Sequence, residues 1–413
     1  MRTIEDLQTK QALPLDVKIL LTRERVRAWI KEFGENGVYV SFSGGKDSTV
    51  LLDLVRNEFG YKDVKAMFVD VPTQYPELRQ FVKTFDNVDI VQPKINFFQV
   101  CEKYGFPFFG KEISECVQGA RKYLTSVCNE QSVLTDRQTD RQTDRQTDRQ
   151  TYRYWFDRVN GIGNYQKKAN IPSYSRGGMT QSSEESTERA NMTVRTAKIL
   201  GLLTADNRIA ENIPSEDRSM FSLEAYKFML DAPFEISNKC CDAMKKEPAH
   251  RYAKETGRMP ITAQMASESR LRTQVWLKQG CNAFDAKNPI SNPMSFWTEQ
   301  DVLRYIKDRN LKICSVYGEV VTDDEEMGQM QLSDYAGMEL FERGQQPLHC
   351  TGCDRTGCVL CGFGAHLDPE RFPRLRETHP KMYALLDVCQ NNGYTMRQAI
   401  DWITEHSNKV IKY

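Results

Sequence analysis

Apolar residues recur along the first hundred positions with two distinct periods. Between residues 15 and 33 (LDVKILLTRERVRAWIKEF), Ile19, Leu20, Val26, Trp29 and Ile30 fall on one side of a helical wheel. That spacing predicts a helix with one buried face. The run VYVSFS at 38–43 is apolar on both alternations and rich in β-branched residues. It predicts a strand covered on both faces. A helix over 47–59, a strand over 65–70, a helix from Tyr75 and a short strand at 88–92 follow in the same way. Strands alternating with helices of this length imply βαβ units, a parallel sheet and hence a doubly wound α/β fold. Later, FWTEQDVLRYI at 296–306 predicts a helix capped by Thr298, with Asp301 three residues on and Val302, Leu303 and Ile306 buried. The segment RFPRLRETHPKMYALLD predicts helices broken by prolines.

Two stretches carry no such pattern. Residues 135–151 read TDRQTDRQTDRQTDRQT, a period of four that matches neither strand nor coiled coil. Its polarity cannot support a core, so a mobile surface loop is expected, with the polar run to about Asn212 as the rest of one insertion. The codons ACA-GAC-AGA-CAG spell Thr-Asp-Arg-Gln and repeat one four-base unit, ACAG. A slippable, phase-variable tract in the gene is one expectation, and a duplicated segment with mixed codons the other. The acidic turn VTDDEEMGQM is expected to be a solvated loop.

Length and composition narrow the class. At 413 residues the chain fills one large domain or two. With 40% hydrophobic and 27% charged residues, most of it is expected to be globular. Lys and Arg total 56, as do Asp and Glu, so the net charge of zero argues against a generally basic nucleic-acid binder, and DNA as a partner is not indicated. A local basic stretch remains: from Lys239 to Lys278 there are nine Lys or Arg against four Asp or Glu. No apolar run approaches the ~20 residues that cross a bilayer. The segment MRTIEDLQTK is polar, so a cytoplasmic location with no membrane partner is expected. Twelve cysteines, clustered in such a compartment, point to metal or redox chemistry more than to disulfides.

The candidate chemistry begins where the first strand ends. SGGKDS follows it directly and opens a helix. Gly44 and Gly45 permit a tight turn and close approach of an anion to the backbone, and the helix N-terminus offers unpaired N–H groups with a positive dipole end. Ser43 and Ser48 add hydroxyls, Lys46 adds charge, and Asp47 is placed to steady the helix end or hold a magnesium ion. The pattern is not GxxxxGK[ST].

On these residues the chain resembles the N-type ATP pyrophosphatases, the adenine nucleotide alpha hydrolase fold. More narrowly, it resembles the phosphoadenosine-phosphosulfate (PAPS) reductase family, over residues 38–125 and about 221–387. The resemblance implies a PP-loop at SGGKDS that holds the phosphates of ATP or of a sulfonucleotide (PAPS or APS). It places Asp70 near the nucleotide at the end of the next strand, with Thr73 and Gln74 in the substrate-side loop. The motif TAQMASESRLRTQ, with Glu268, Arg270 and Arg272, matches the stretch that binds the sulfate and phosphate end. Lys111, in FFGKEIS, is a further candidate for that pocket. Lys46, Asp47 and Arg270 are the expected catalytic group. Cys240 and Cys241 with the distant Cys358 and Cys361 resemble a [4Fe–4S] ligand set. The competing reading takes Cys350, Cys353, Cys358 and Cys361 as a local zinc or iron–sulfur knuckle. The five histidines form no ligand spacing, and His366 and His379 are expected to be structural or cluster-adjacent.

The implied organisation is an N-terminal helical segment (1–34), the nucleotide-binding domain in two parts (35–134 and 216–312) around the polar insertion (135–215), and a cysteine-rich region (313–413). The implied function is sulfur transfer or reduction on an adenine nucleotide, with an electron donor or sulfur-transfer protein as partner. DNA phosphorothioation-type chemistry driven by ATP is the alternative enzyme. A nucleotide- and Fe–S-binding regulator without turnover is the alternative class. One departure stands out: family reductases carry a nucleophilic cysteine in a Glu-Cys-Gly-Leu/Ile-His motif, whereas DWITEHSNKVIKY has none after Cys389.

Overall fold

The computed structural model describes residues 2–135, 193–206, 209, 213, 217–323, 346–363, 365 and 368–413. The expectations for most of the repeat, most of the polar insertion, most of the acidic turn and His366 lie outside these residues. The described end of the insertion is no loop, because Ala197, Ile199 and Leu200 bury one face of a helix, Val194–Leu200. The chain forms two compact units: residues 1–96 with 241–359, and residues 97–240 with 360–413.

The first unit is built on a six-stranded sheet. Its strands are β1 (Val38–Ser41), β2 (Lys65–Val69), β3 (Val88–Val91), β5 (Met259–Ile261), β6 (Asn282–Ala283) and β7 (Ile290–Ser291). They lie in the order β3-β2-β1-β5-β7-β6, every pair parallel except β7 with β6. With helices on both sides, this is the expected doubly wound α/β fold. In β1 the residues Val38, Tyr39 and Val40 are buried on both faces, as the unbroken apolar run predicts. Successive connections run from β1 towards β2 and β3 on one side, then return to β5 on the other. The loop after β1 therefore opens at a topological switch point, where open α/β sheets bind ligands.

Four helices of this unit are α1 (Ile4–Gln11), α2 (Leu15–Phe33), α3 (Lys46–Asp53) and α4 (Pro76–Val82). The expected span of α2 is found, but its buried face is Lys18, Thr22, Val26, Trp29 and Ile30, and Leu20 is exposed. The reason is a polar pair that a hydrophobic count does not see. Lys18 donates to Asp301 at 2.6 Å and to the Gln11 carbonyl at 2.6 Å, which fixes the inward face on Lys18 and Thr22 and turns Leu20, two positions on, outward. Asp301 also closes a capping box with Thr298 at the start of helix Glu299–Asp308, which buries Val302, Leu303 and Ile306 as expected. An antiparallel pair, β8 (Val320–Thr322) and β9 (Leu348–Cys350), completes the unit.

The second unit contains α5 (Phe97–Tyr104) and α6 (Lys111–Thr135), with helix Val194–Leu200 packed on α6. Phe106, Phe108, Phe234 and Trp402 form its aromatic core. The buried guanidinium of Arg121 donates to the carbonyls of Met229, Ala232 and Phe234, satisfying backbone groups that would otherwise be stranded. Two strands, β4 (Phe108–Phe109) and β10 (Gly362–Phe363), pair in parallel. The proline-broken segment forms helices Arg371–Thr378 and Pro380–Tyr383, split at His379.

Candidate functional site

The turn from β1 into α3 is shaped by its glycines. Gly44 has φ +72°, and a Cβ there would lie 3.0 Å from Val82 Cγ2 and 3.2 Å from Leu78 Cδ2. Only glycine fits both the dihedral and the space. Gly45 is the N-cap of α3 and offers no side chain to its orphan amides. The two serines brace the loop. Ser48 Oγ accepts from the Ser43 amide (3.1 Å) and donates to the Gly45 carbonyl (2.9 Å). Ser43 Oγ accepts from the Gly45 amide (3.3 Å).

In front of this turn lies a cavity of about 380 Å³ within the first unit. Ser43, Gly45, Lys46 and Asp47 form its floor. Glu268, Thr298 and Glu299 stand on one part of its wall, and Tyr317, Arg355 and Thr356 on another. Lys46 is almost wholly buried, yet its ammonium reaches Glu299 Oε1 at 3.0 Å and donates to the Asp354 carbonyl at 2.8 Å. Burial alone would lower its pKa; Asp47, the Tyr317 hydroxyl and Glu299 outweigh that and hold it above an ordinary lysine. Lys46 is therefore a fixed positive charge beside the loop amides.

Asp47 has the opposite problem. Its Oδ1 is buried with no hydrogen-bond partner among the described residues. Burial pushes its carboxyl up, against the pull of Lys46; Glu299 adds to the rise, while Arg355 and Arg272 oppose it. Burial lowers Arg272, and the neighbouring charge of Arg355 lowers it further. Arg272 also pairs with Glu268 on the cavity wall. Two guanidiniums thus share one region with a carboxylate, an arrangement that an incoming anion would relieve.

The match to residues 37–129 and 207–362 is to the phosphoadenosine phosphosulfate reductase domain. The chain belongs to the PAPS reductase family. No curated protein matches it. Among solved structures it is similar to a phosphoadenylyl-sulfate (PAPS) reductase from Candida auris in a phosphate complex, at 12% identity and a TM-score of 0.31, over 76% of this chain and 91% of that one. Membership of the PAPS reductase family supports a sulfonucleotide-processing enzyme with a small-molecule nucleotide as partner. Among the described residues, no helix is long and apolar enough to cross a membrane.

Of the residues singled out for this family, Ser43, Gly45, Lys46 and Asp47 face the cavity, and Gly44 and Ser48 support them. Asp70 and Thr73 lie outside its lining. Asp70 is held by Arg79 (2.8 Å from Nε), and the Thr73 hydroxyl is buried with no hydrogen-bond partner among the described residues. Gln74 caps its own turn by accepting from the Val71 amide. Arg272 acts on the cavity floor, whereas Arg270 is exposed at the start of helix Arg270–Gln279. Lys111 opens α6 in the second unit.

Tyr317, Arg355, Thr356 and Glu299 were not anticipated. Arg355 and Thr356 sit inside CDRTGC, where the cysteine spacing drew the reading towards metal ligation. Tyr317 has no motif around it. The loop 351–359 that carries Arg355 is pinned at both ends. Gly352 and Cys353 donate to the carbonyls of Tyr317 and Val316, and Val359 donates to that of Thr73.

Cys241, Cys350, Cys353 and Cys358 belong to the first unit, and Cys240 and Cys361 to the second. Cys353 Sγ donates to the Tyr75 hydroxyl at 3.7 Å. In the second unit the buried thiol of Cys101 is hydrogen-bonded to Cys389, and Cys240 and Cys361 are close enough to act on it; together with burial they push its pKa far up. Thiols are the right donors for iron–sulfur or zinc. Among the described residues, however, no three or more Cys, His, Asp or Glu side chains stand ready-formed around a metal position.

Proposed function

We propose that this chain binds a sulfonucleotide, PAPS or APS, at the end of β1 and acts on its sulfur by transfer or reduction. The observation that carries this reading is the convergence on one cavity of the Gly44–Lys46 turn, the buried ammonium of Lys46 and Arg355, with Arg272 held behind its wall by Glu268. The turn would hold one phosphoryl group through backbone N–H groups. The guanidiniums would take a second anionic group through paired hydrogen bonds. Lys46, already charged and fixed by Glu299, would need no reorganisation when charge moves on to the bridging oxygen. The stranded Oδ1 of Asp47 fits a magnesium ligand, and a bound ion there would neutralise phosphoryl charge.

Reductive release of sulfite from a sulfonucleotide takes two electrons, so a redox partner belongs to this reading. Cys240, Cys241, Cys358 and Cys361 are the proposed holders of a [4Fe–4S] cluster. The alternative, which shares two of these thiols and so excludes the first, is the quartet Cys350, Cys353, Cys358 and Cys361 holding zinc or an iron–sulfur cluster. A bound cluster would supply electrostatic or electron-transfer chemistry. Iron, sulfide and zinc analysis after anaerobic purification decides the matter; a full-length protein free of all three removes the metal from the account.

Titration calorimetry with PAPS, APS and ATP tests the substrate class. Lys46→Ala and Arg355→Ala are each expected to weaken sulfonucleotide binding by roughly 10- to 100-fold, the loss of one charge-assisted contact. Tighter binding of ATP with pyrophosphate release would replace sulfonucleotide chemistry by ATP-driven transfer. No binding of any of the three would refute the site.

A further inference from the structure

We propose that the Tyr317 hydroxyl is a placeholder for a phosphoryl oxygen: it caps the amide of Lys46 in the unliganded protein and gives up that bond when an anion binds. The inference rests on the phosphate-loop reading of this cavity and adds to it a residue to which that reading gives no role.

Three observations meet at this atom. The Lys46 amide, first in α3, donates to the Tyr317 hydroxyl at 3.2 Å, across 271 positions of sequence. The N-cap, Gly45, has no side chain that could perform this task locally, and no side-chain cap is made there. A Cβ built on Gly45 would lie 3.1 Å from the same hydroxyl and 3.4 Å from Thr356 Oγ1, so the open side of the glycine faces this pair of oxygens. Tyr317 and Thr356 are bonded to each other at 2.7 Å, and the tyrosine ring lies 5.4 Å from the Lys46 ammonium. An oxygen beside a helix-terminal amide, a glycine and a buried lysine occupies the position that an anion oxygen would take.

A neutral hydroxyl on that amide forms a weaker bond than a charged oxygen does, by roughly a factor of two. The anion therefore wins the amide, and Thr356 remains to satisfy the released hydroxyl. Until then the buried donor is not left unpaired, which would destabilise the loop. The backbone of Tyr317 is tied by its own bonds to Cys314 and Gly352, so the change falls on the side chain.

The variant Tyr317→Phe removes the hydroxyl and keeps the ring. In calorimetric titrations of the full chain with inorganic pyrophosphate and with PAPS, it is expected to bind about two- to tenfold more tightly than the natural protein, the range of one neutral hydrogen bond. Its unliganded melting temperature is expected to fall. Equal or weaker binding by Tyr317→Phe overturns the placeholder and makes Tyr317 a permanent ligand or a bystander. Hydrogen exchange on the natural protein gives a second readout that needs no variant. Pyrophosphate is expected to slow exchange in peptides covering 43–49 and to leave those covering 315–318 unchanged, because the Tyr317 backbone keeps its bonds; protection of both together overturns the proposal. If the natural protein binds neither probe, the phosphate-loop reading fails, and this inference with it. Binding by the natural protein with protection spread over both segments, or with Tyr317→Phe no tighter, sinks the inference alone.

Discussion

Asp47 is held in a buried position that opposes its charge, and that opposition has a pH signature. Its folded-state pKa lies above the ordinary carboxylate value of 3.8, with burial the main cause and Glu299 contributing. Between that value and the raised one, the folded chain holds a proton that the unfolded chain has lost. The carboxyl therefore contributes stability in full below pH 3.8, and the contribution drains away as pH rises through this window. Asp47→Asn never ionises and escapes the loss. Its melting temperature is expected to match that of the natural protein in acid and to exceed it near neutrality, the gap opening as the natural carboxyl loses its proton. Thermal scans from pH 3 to 8 check this, and a constant difference at every pH refutes it. At this scale SGGKDS was readable because strand, glycines and helix are local in sequence. Glu299 and Tyr317 were not, because they reach Lys46 from segments more than 250 residues away and carry no pattern of their own.

Elements are decided by local periodicity plus a few polar overrides. The turn into α3 depends on one dihedral, φ +72° at Gly44, and on the 3.0 Å gap to Val82. Gly44→Ala is expected to destabilise the chain by about 1–2 kcal/mol from the left-handed backbone alone, with the Val82 contact adding to it. Because the strain is relieved by moving the loop, nucleotide affinity is expected to drop with stability. A urea midpoint unchanged from the natural protein would show that the turn has other conformations open to it. The helices over 15–33 and from Glu299 were legible from period and capping residues. The face of α2 was not. Leu20 is 57% exposed while Lys18 is 2% exposed, because a buried Lys18–Asp301 pair outweighs one leucine, and such a pair leaves no trace in a hydrophobic count. The helix expected over 47–59 likewise ends as α-helix at Asp53 and continues as a wide π turn over Leu54–Glu58.

At the scale of the whole chain, what the sequence hid is the order of its long-range pairings. Parallel strands need no turn signal between them, so nothing in residues 38–41 or 259–261 announces that β1 and β5 are neighbours. Yet Val38↔Met259, Tyr39↔Pro260 and Val40↔Ile261 form the centre of the sheet, and β1 has β2 on its other side. Both units are discontinuous, with the chain leaving the first after Asn96 and re-entering it at Cys241. A cut at that re-entry is therefore not a domain boundary in the folding sense. A fragment of residues 1–240 keeps β1, β2 and β3 but loses β5, β6 and β7. It turns the fully buried β1, with Val38 and Val40 at 0% exposure, into an open apolar edge, the kind of edge that pairs with other chains. It also removes Glu268, Glu299, Tyr317, Arg355 and Thr356, and so the cavity wall opposite the loop. The expected outcome is a fragment without a cooperative thermal transition, associating in solution and binding no PAPS, although SGGKDS and both flanking elements are intact. Circular dichroism on heating and light scattering measure this directly. A monomeric fragment with a sharp transition would mean that the sheet closes without β5, and that the loop after β1 is positioned by its neighbours in sequence alone.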